Sequence, residues 1–112
     1  MNARSRSAIE KIIIHAEKSI SYAANLHNWW EDSKTLEAIV FNLAQIGELV
    51  KFVEVDIQNE NKHINWPAMK GLRNRIIHDY DYVIPLIIRN IVENDLPELL
   101  DNLSILLNKF AT

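Results

Sequence analysis

The stretch Gly71-Leu72-Arg73-Asn74-Arg75-Ile76-Ile77-His78-Asp79-Tyr80 concentrates the chemistry of the chain. Two arginines, a histidine, an aspartate and a tyrosine fall within eight residues, whereas most of the remaining sequence alternates apolar stripes with charged positions. Apolar residues also recur at helical spacing through this stretch, at Met69, Leu72 and Ile76. The pattern predicts a short helix that starts at Asn65-Trp66-Pro67, where proline is tolerated in the first turn, and ends near His78.

Outward from this stretch, apolar stripes predict four further helices. The first two span residues 5–27 and 33–54, with Asn28, Asp32 and Ser33 as loop or cap residues between them. A third follows Asp81 and contains Pro85 in its first turn, and the last follows an Asp95-x-x-Glu98 capping box after an interruption at Asn94-Asp95. Residues 55–65 are polar and aperiodic, and we expect them to form the longest loop. The sequence therefore predicts an all-α fold, an antiparallel bundle of about five helices.

Composition narrows the class of protein. A chain of 112 residues suits one domain, which we expect to cover residues 1–112. The absence of cysteine excludes disulfides and thiolate metal sites and fits a cytoplasmic protein. No apolar run approaches the roughly 18 residues that span a bilayer, and no signal peptide is expected, so we predict no membrane association. A net charge of -3 argues against a broad basic face for nucleic acid, so any contact with RNA should be local.

The pattern Arg-Asn-x-x-x-His-x-Tyr at residues 73–80 resembles the signature of the HEPN superfamily and, more closely, of the HepT-like toxins. Trp66, Gly71-Leu72, the Gly47-Glu48 pair and Asp95-Leu96-Pro97-Glu98-Leu99 also resemble that family, so the likeness extends clearly from Leu36 to Leu103. It implies a HEPN-like bundle and a ribonuclease toxin that pairs with an MNT-type nucleotidyltransferase antitoxin in a type VII-like system. It also implies a homodimer with the active site in the dimer cleft.

The resemblance also assigns roles to individual residues. Arg73 and His78 are the implied catalytic pair for metal-independent cleavage of RNA to a cyclic phosphate, and Asn74 and Tyr80 are the implied substrate-positioning residues. Tyr80 is further the implied site at which the antitoxin attaches AMP, which would block RNA by charge and volume. No cofactor and no metal are expected. Each residue also has a purely structural alternative. Arg73 could be a surface cation, His78 a histidine favoured by the helix dipole at a C-terminus, and Tyr80 a half-buried aromatic.

Helical geometry limits how this pair can act. A step of five residues leaves two side chains about 140° apart on a regular helix. Either the helix loosens between Arg73 and His78, or a second copy brings its own pair into the same cleft. Arg75, two residues from Arg73, points nearly opposite and is not expected in the primary site. For Gly47 and Glu48 we favour a packing glycine and a solvated carboxylate.

Other chemistries have weaker support. His15, His27 and His63 lack metal-like spacing with carboxylates, and no glycine-rich phosphate loop is present. Two alternatives from other classes remain open. The chain could be a non-catalytic subunit that docks a nucleotidyltransferase and binds nucleotide in the same cleft, or a helical dimerisation module whose motif is vestigial.

Overall fold

The computed structural model describes residues 1–79 and 85–111, and for Ile77, His78 and Asp79 it describes the backbone alone. Tyr80 and the predicted cap Asp81 therefore lie outside the described residues. The described part is helical and contains no strand, which confirms the predicted all-α fold class. Its elements in chain order are α1 (Ala3–Ala24), a 3-10 turn (Trp29–Glu31), α2 (Ser33–Leu49), a 3-10 turn (Val50–Phe52), α3 (Val55–Glu60), α4 (Trp66–Asp79), α5 (Pro85–Asn90), a π-helical segment (Ile91–Asp95) and α6 (Leu96–Lys109).

Helix α2 lies at the centre of the bundle, with α1 on one side and α4 on the other. Helices α1 and α2 are antiparallel, because Ser5 near the start of α1 contacts Glu54 just beyond α2, whereas His15 farther along contacts Asn42. Helix α6 packs against α1. Most of the large, fully buried apolar side chains come from α1, α2 and α6: Ile9, Ile12, Ile39, Leu43, Ile46, Leu103 and Leu106. Burial of one such side chain contributes about 1.5–3 kcal/mol relative to exposure.

The predicted starts of two helices are confirmed by their caps. The Asp32 carboxylate accepts a hydrogen bond of 3.0 Å from the Thr35 backbone N–H at the start of α2. The Asn65 side chain accepts one of 3.1 Å from the Ala68 N–H at the start of α4. Each cap satisfies a donor that the first helical turn leaves without an internal partner. The predicted loop or cap residue Asp32 and the predicted start at Asn65-Trp66-Pro67 therefore located the N-termini of α2 and α4.

The prediction of a long loop over residues 55–65 was wrong, because α3 occupies Val55–Glu60. One apolar side chain, Ile57, anchors this helix in the core and is 4 % exposed. Side-chain amides hold the surrounding backbone: Gln58 donates to the Val53 carbonyl at 3.0 Å, and Asn61 donates to the Ile57 carbonyl at 2.8 Å. A six-residue helix with a single buried apolar residue gives no periodicity that could be read in the sequence.

The predicted interruption at Asn94-Asp95 and the capping box from Asp95 to Glu98 were also wrong. The chain stays helical from Pro85 to Lys109, and Asp95 has helical backbone angles and makes no capping hydrogen bond. Proline 97 explains the π segment just before α6, since its ring would press on the carbonyl four residues earlier in a regular α-helix. A wider turn, in which the Leu96 N–H donates to the Ile91 carbonyl, accommodates it without breaking the helix.

Candidate functional site

Helix α4 carries both members of the predicted catalytic pair and remains helical through Asp79. Arg73 and His78 are therefore separated by about 7.5 Å along the axis and about 140° around it. The helix does not loosen between them, so the first of the two ways in which the pair could converge is not found. Convergence through a second copy of the chain stays a prediction.

Arg73 forms an ion pair with Glu48 of α2, between the guanidinium Nε and the carboxylate Oε1. The Arg73 side chain is 46 % exposed and that of Glu48 is 33 % exposed, so the pair lies at the surface where α4 packs against α2. This ion pair engages Nε, whereas the outer edge of the guanidinium carries the two terminal nitrogens. That outer edge has the fork geometry that binds phosphate through two hydrogen bonds.

Gly47 brings the backbones of α2 and α4 together at this ion pair. A Cβ atom at Gly47 would lie 2.9 Å from the Arg73 backbone nitrogen and 2.9 Å from the Met69 carbonyl oxygen. Both are backbone atoms, so a larger residue would have to push the helices apart. The prediction that Gly47 permits close approach is confirmed. The prediction that Glu48 is merely solvated was wrong, because this carboxylate contacts Arg73 and Lys51.

Glu48 is held in its ionised form. The ammonium group of Lys51 donates a hydrogen bond of 2.8 Å to Oε2, and this contact, opposed by partial desolvation and aided by the charge of Arg73, lowers the pKa of Glu48 from its usual 4.5. The carboxylate therefore stays charged at neutral pH and keeps orienting the guanidinium. Sequence analysis missed Glu48 as the partner of Arg73; the available signal was its position directly after a helix-interior glycine.

The other arginine of the motif, Arg75, faces a different part of the molecule. It lines a cavity of about 350 Å³ between the start of α4 and the junction of the π segment with α6. The floor of this cavity is apolar, with Ile46 and Leu96, and further polar groups lie around it: His63, Asn65, Asp95, Glu98 and Asn102. The structure therefore separates the two arginines, as the helical spacing predicts. Asn74, between them, is exposed.

His15 has a structural role in the bundle. The Asn42 amide nitrogen donates to the Ala38 carbonyl at 2.8 Å, which identifies the Asn42 oxygen as the acceptor of the 2.7 Å hydrogen bond from His15 Nδ1. This contact joins α1 to α2 and fixes the imidazole tautomer. Within residues 1–79 and 85–111, no group of three or more His, Cys, Asp or Glu side chains is arranged to hold a metal ion.

Comparison with known proteins places the chain among ribonuclease-like sequences. The family model described as Ribonuclease HepT-like matches residues 8–105. Three curated relatives carry the name "Putative RNase". One from Methanocaldococcus jannaschii is 37% identical over 67 residues, which is 60% of this chain and 55% of the relative. Another from that organism is 31% identical over 88 residues, covering 78% of this chain and 69% of the relative. The third, from Caldanaerobacter subterraneus subsp. tengcongensis, is 28% identical over 89 residues, which is 80% of this chain and 76% of the relative.

The first of these relatives is matched over little more than half of its length. No solved structure matches the chain. Among the helices that the structure describes, none combines the length and the apolar character needed to cross a lipid bilayer.

Proposed function

Because the chain belongs to the Ribonuclease HepT-like family, we propose that it is a metal-independent RNA endonuclease and the toxin of a type VII-like toxin–antitoxin pair. It acts in the cytoplasm as a single domain of residues 1–112. The observation that carries this proposal is the Arg73 guanidinium, which is exposed, oriented by an ionised Glu48, and placed on the helix that also contains His78. Phosphodiester transfer requires a fixed cation together with a group that titrates near neutrality, and a second copy of the chain would bring the two into one cleft.

The proposed reaction is an internal attack by the ribose 2′-oxygen on the adjacent phosphorus. A base takes the 2′ proton as the new P–O bond forms; the P–O5′ bond then breaks, and an acid gives the 5′-oxygen a proton. The products are a cyclic phosphate and a free 5′-hydroxyl. His78 moves the protons, the outer edge of Arg73 stabilises the charge on the phosphorane, and Asn74 and Tyr80 position the substrate. In a homodimer, the two copies of His78 divide the acid and base roles across the cleft.

Neutralisation by an MNT-type nucleotidyltransferase follows from the same motif. Attachment of AMP to Tyr80 adds a bulky anion two residues from His78. This group would compete with substrate phosphate for Arg73 and fill the space that RNA needs. In this proposal the motif at residues 73–80 is both the catalytic site and the target of the antitoxin.

The test is cleavage of RNA by the purified protein in EDTA, with an intact mass recorded for every sample. We expect cleavage by the wild type and its loss in Arg73→Ala and in His78→Ala, with Arg75→Ala as the matched control. An inactive protein whose added AMP-sized mass disappears in Tyr80→Phe would be the neutralised toxin. An inactive, unmodified protein, or one with activity only after metal is restored, would contradict the proposal. A heterodimer with one His78→Ala chain and full activity would contradict the division of roles.

A non-catalytic nucleotide-binding subunit remains the second candidate, and the cavity beside Arg75 favours it. A volume of about 350 Å³ is within the range of small-molecule sites, and its apolar floor and polar surroundings could receive a base and a phosphate. Calorimetric titration with AMP would test it. Binding by an uncleaving wild type, weakened in Arg75→Ala and unchanged in Arg73→Ala, would favour this second function.

A further inference from the structure

A continuous series of contacts leads from Arg73 across the end of α2 to α1. Arg73 pairs with Glu48, and Glu48 accepts a hydrogen bond from Lys51 at 2.8 Å. The Lys51 ammonium lies 5.4 Å from the centre of the Phe52 ring, and the Arg4 guanidinium lies 4.9 Å from the same ring. Both cations are within the range of cation–π attraction, so the ring holds them on one surface.

The surface continues along α1 as a groove of about 270 Å³ between α1 and α2. Lys11 follows Arg4 by two helical turns and lines the same groove, which is formed by Arg4, Ser7, Ala8, Lys11, Leu49 and Phe52. We call the surface made by Arg4, Lys11, Lys51, Phe52, Glu48 and Arg73 the cation strip. It spans α1, α2 and α4 and ends at the proposed catalytic arginine.

The charge of the cation strip contrasts with that of the chain. Four cations and one carboxylate give the strip a charge of +3, within a protein whose net charge is -3. The Glu54 carboxylate, two residues beyond Phe52, accepts hydrogen bonds from the Asn2 N–H at 2.6 Å and from the Ser5 hydroxyl at 3.2 Å. A local basic surface on an acidic protein attracts a polyanion to that surface.

We propose that the cation strip binds the ribose-phosphate backbone of the RNA substrate and leads the strand to Arg73. This inference rests on the proposed function, because it assumes that the ligand at Arg73 is RNA. A polyanionic strand suits the strip better than a folded protein does, since protein interfaces deplete charge at their centre and place it at the rim. In the strip the cations occupy the centre, and the aromatic ring between them supports two of them.

The test measures binding separately from cleavage. The probe is a fluorescent single-stranded oligonucleotide with 2′-O-methyl groups throughout, which keeps the phosphates and cannot undergo internal attack. Lys11→Gln is the main variant, because Lys11 lies far from the catalytic pair along the strip. Lys109→Gln is the matched control. This variant also removes one positive charge, but at the end of α6, next to Phe110, whose carbonyl accepts a hydrogen bond from Arg6. Arg6 is two residues from Arg4 and points to the other side of α1, so Lys109 lies away from the strip.

For Lys11→Gln we expect the dissociation constant to rise by several-fold, and the negative slope of log affinity against log salt concentration to become shallower by about 0.7. The double variant Arg4→Gln/Lys11→Gln should make that slope shallower by about 1.4 and raise the dissociation constant by about tenfold. Lys109→Gln should match the wild type in both. Circular dichroism on each variant checks that the fold is retained.

The possible outcomes distinguish the proposed ribonuclease activity from the proposed RNA binding by the cation strip. A wild type that cleaves RNA while Lys11→Gln and the double variant bind like Lys109→Gln would overturn the strip and leave the ribonuclease intact. A wild type that neither binds nor cleaves RNA would overturn both. Binding of a polyglutamate peptide in preference to the oligonucleotide would assign the strip to an acidic protein partner instead and would also overturn the inference.

Discussion

The two arginines of α4 are separated by one residue and occupy different surroundings. Arg73 lies against α2, where Gly47 allows the two helix backbones to approach closely and Glu48 orients the guanidinium. Arg75 lies on the other side of α4, beside a cavity with acidic and amide groups around it. The difference shows that position around the helix, rather than residue type, decides the surroundings of each arginine. The cation strip belongs to the Arg73 side, which makes that side the basic one.

The largest expected effect separates the two arginines by activity. Arg73→Ala should lower the rate of RNA cleavage by about 10²-fold or more, because it removes a preorganised donor to the transition state. Arg75→Ala should leave the rate within about threefold, as a surface charge away from the reacting phosphate does. Single-turnover cleavage assays in EDTA measure both. Equal losses in the two variants would remove the distinction between the two sides of α4.

The two glycines, Gly47 and Gly71, also differ in their surroundings, and we expect opposite effects on stability when each is replaced by alanine. Gly47→Ala should lower the free energy of unfolding by about 1–3 kcal/mol, because its Cβ would press on the backbone of α4. Gly71 lies within α4, and a Cβ there meets nothing within 4 Å. Gly71→Ala should therefore raise the free energy of unfolding by up to about 1 kcal/mol through better helix propensity. Urea unfolding of the wild type and both variants measures these changes in the free energy of unfolding. Stabilisation by Gly47→Ala would mean that α2 and α4 approach less closely.

A smaller effect is expected from the residue that orients Arg73. Glu48→Gln keeps the shape of the side chain but removes its charge, so we expect cleavage to slow by about fivefold, the scale of one exposed ion pair. Glu98→Gln, beside the cavity of Arg75, should leave cleavage unchanged. Partial recovery of the rate in Glu48→Asp would identify orientation of the guanidinium as the role of this carboxylate. Full activity in Glu48→Gln would show that Arg73 needs no such partner.

The smallest effect concerns pH. The pKa of Glu48 is lowered on folding, chiefly by the hydrogen bond from Lys51, so its contribution to stability is present above its usual 4.5 and is lost as the pH falls through the lower folded value. The stability difference between wild type and Glu48→Gln should thus be constant from about pH 5.5 to 8 and shrink below about pH 4. Thermal unfolding across that range measures it. A difference that grows in acid would reverse the assigned direction.

The sequence predicted the elements that depend on long apolar stripes and on caps. Helices α1, α2, α4 and α6 follow such stripes, and Asp32 and Asn65 cap where their residue types suggest. Helix α3 escaped prediction because its stability comes from one buried isoleucine and from side-chain amide hydrogen bonds to backbone carbonyls four and five residues earlier. Such contacts leave no periodic trace in the sequence.

The candidate site was predictable only in part. Periodicity alone placed Arg73 and Arg75 on different sides of α4. The pairing of Arg73 with Glu48 joins residues 25 positions apart in the chain, and it depends on the crossing of two helices. The cation strip likewise gathers side chains from three helices, and the net charge of the sequence conceals it. The roles predicted for His78 and Tyr80 depend on side chains that the structure does not describe.

The π segment before Pro97 has a consequence for how this family varies in length. Its five-residue hydrogen bond means that the helix from Pro85 to Lys109 holds one residue more than a regular α-helix with the same two ends. Loss of one residue there would leave the faces of α5 and α6 aligned, whereas a loss within α6 would rotate every later residue by about 100°. Relatives shorter by one residue should therefore carry the gap at Ile91–Asp95 and should lack the proline as well, which an alignment of their last helices would reveal.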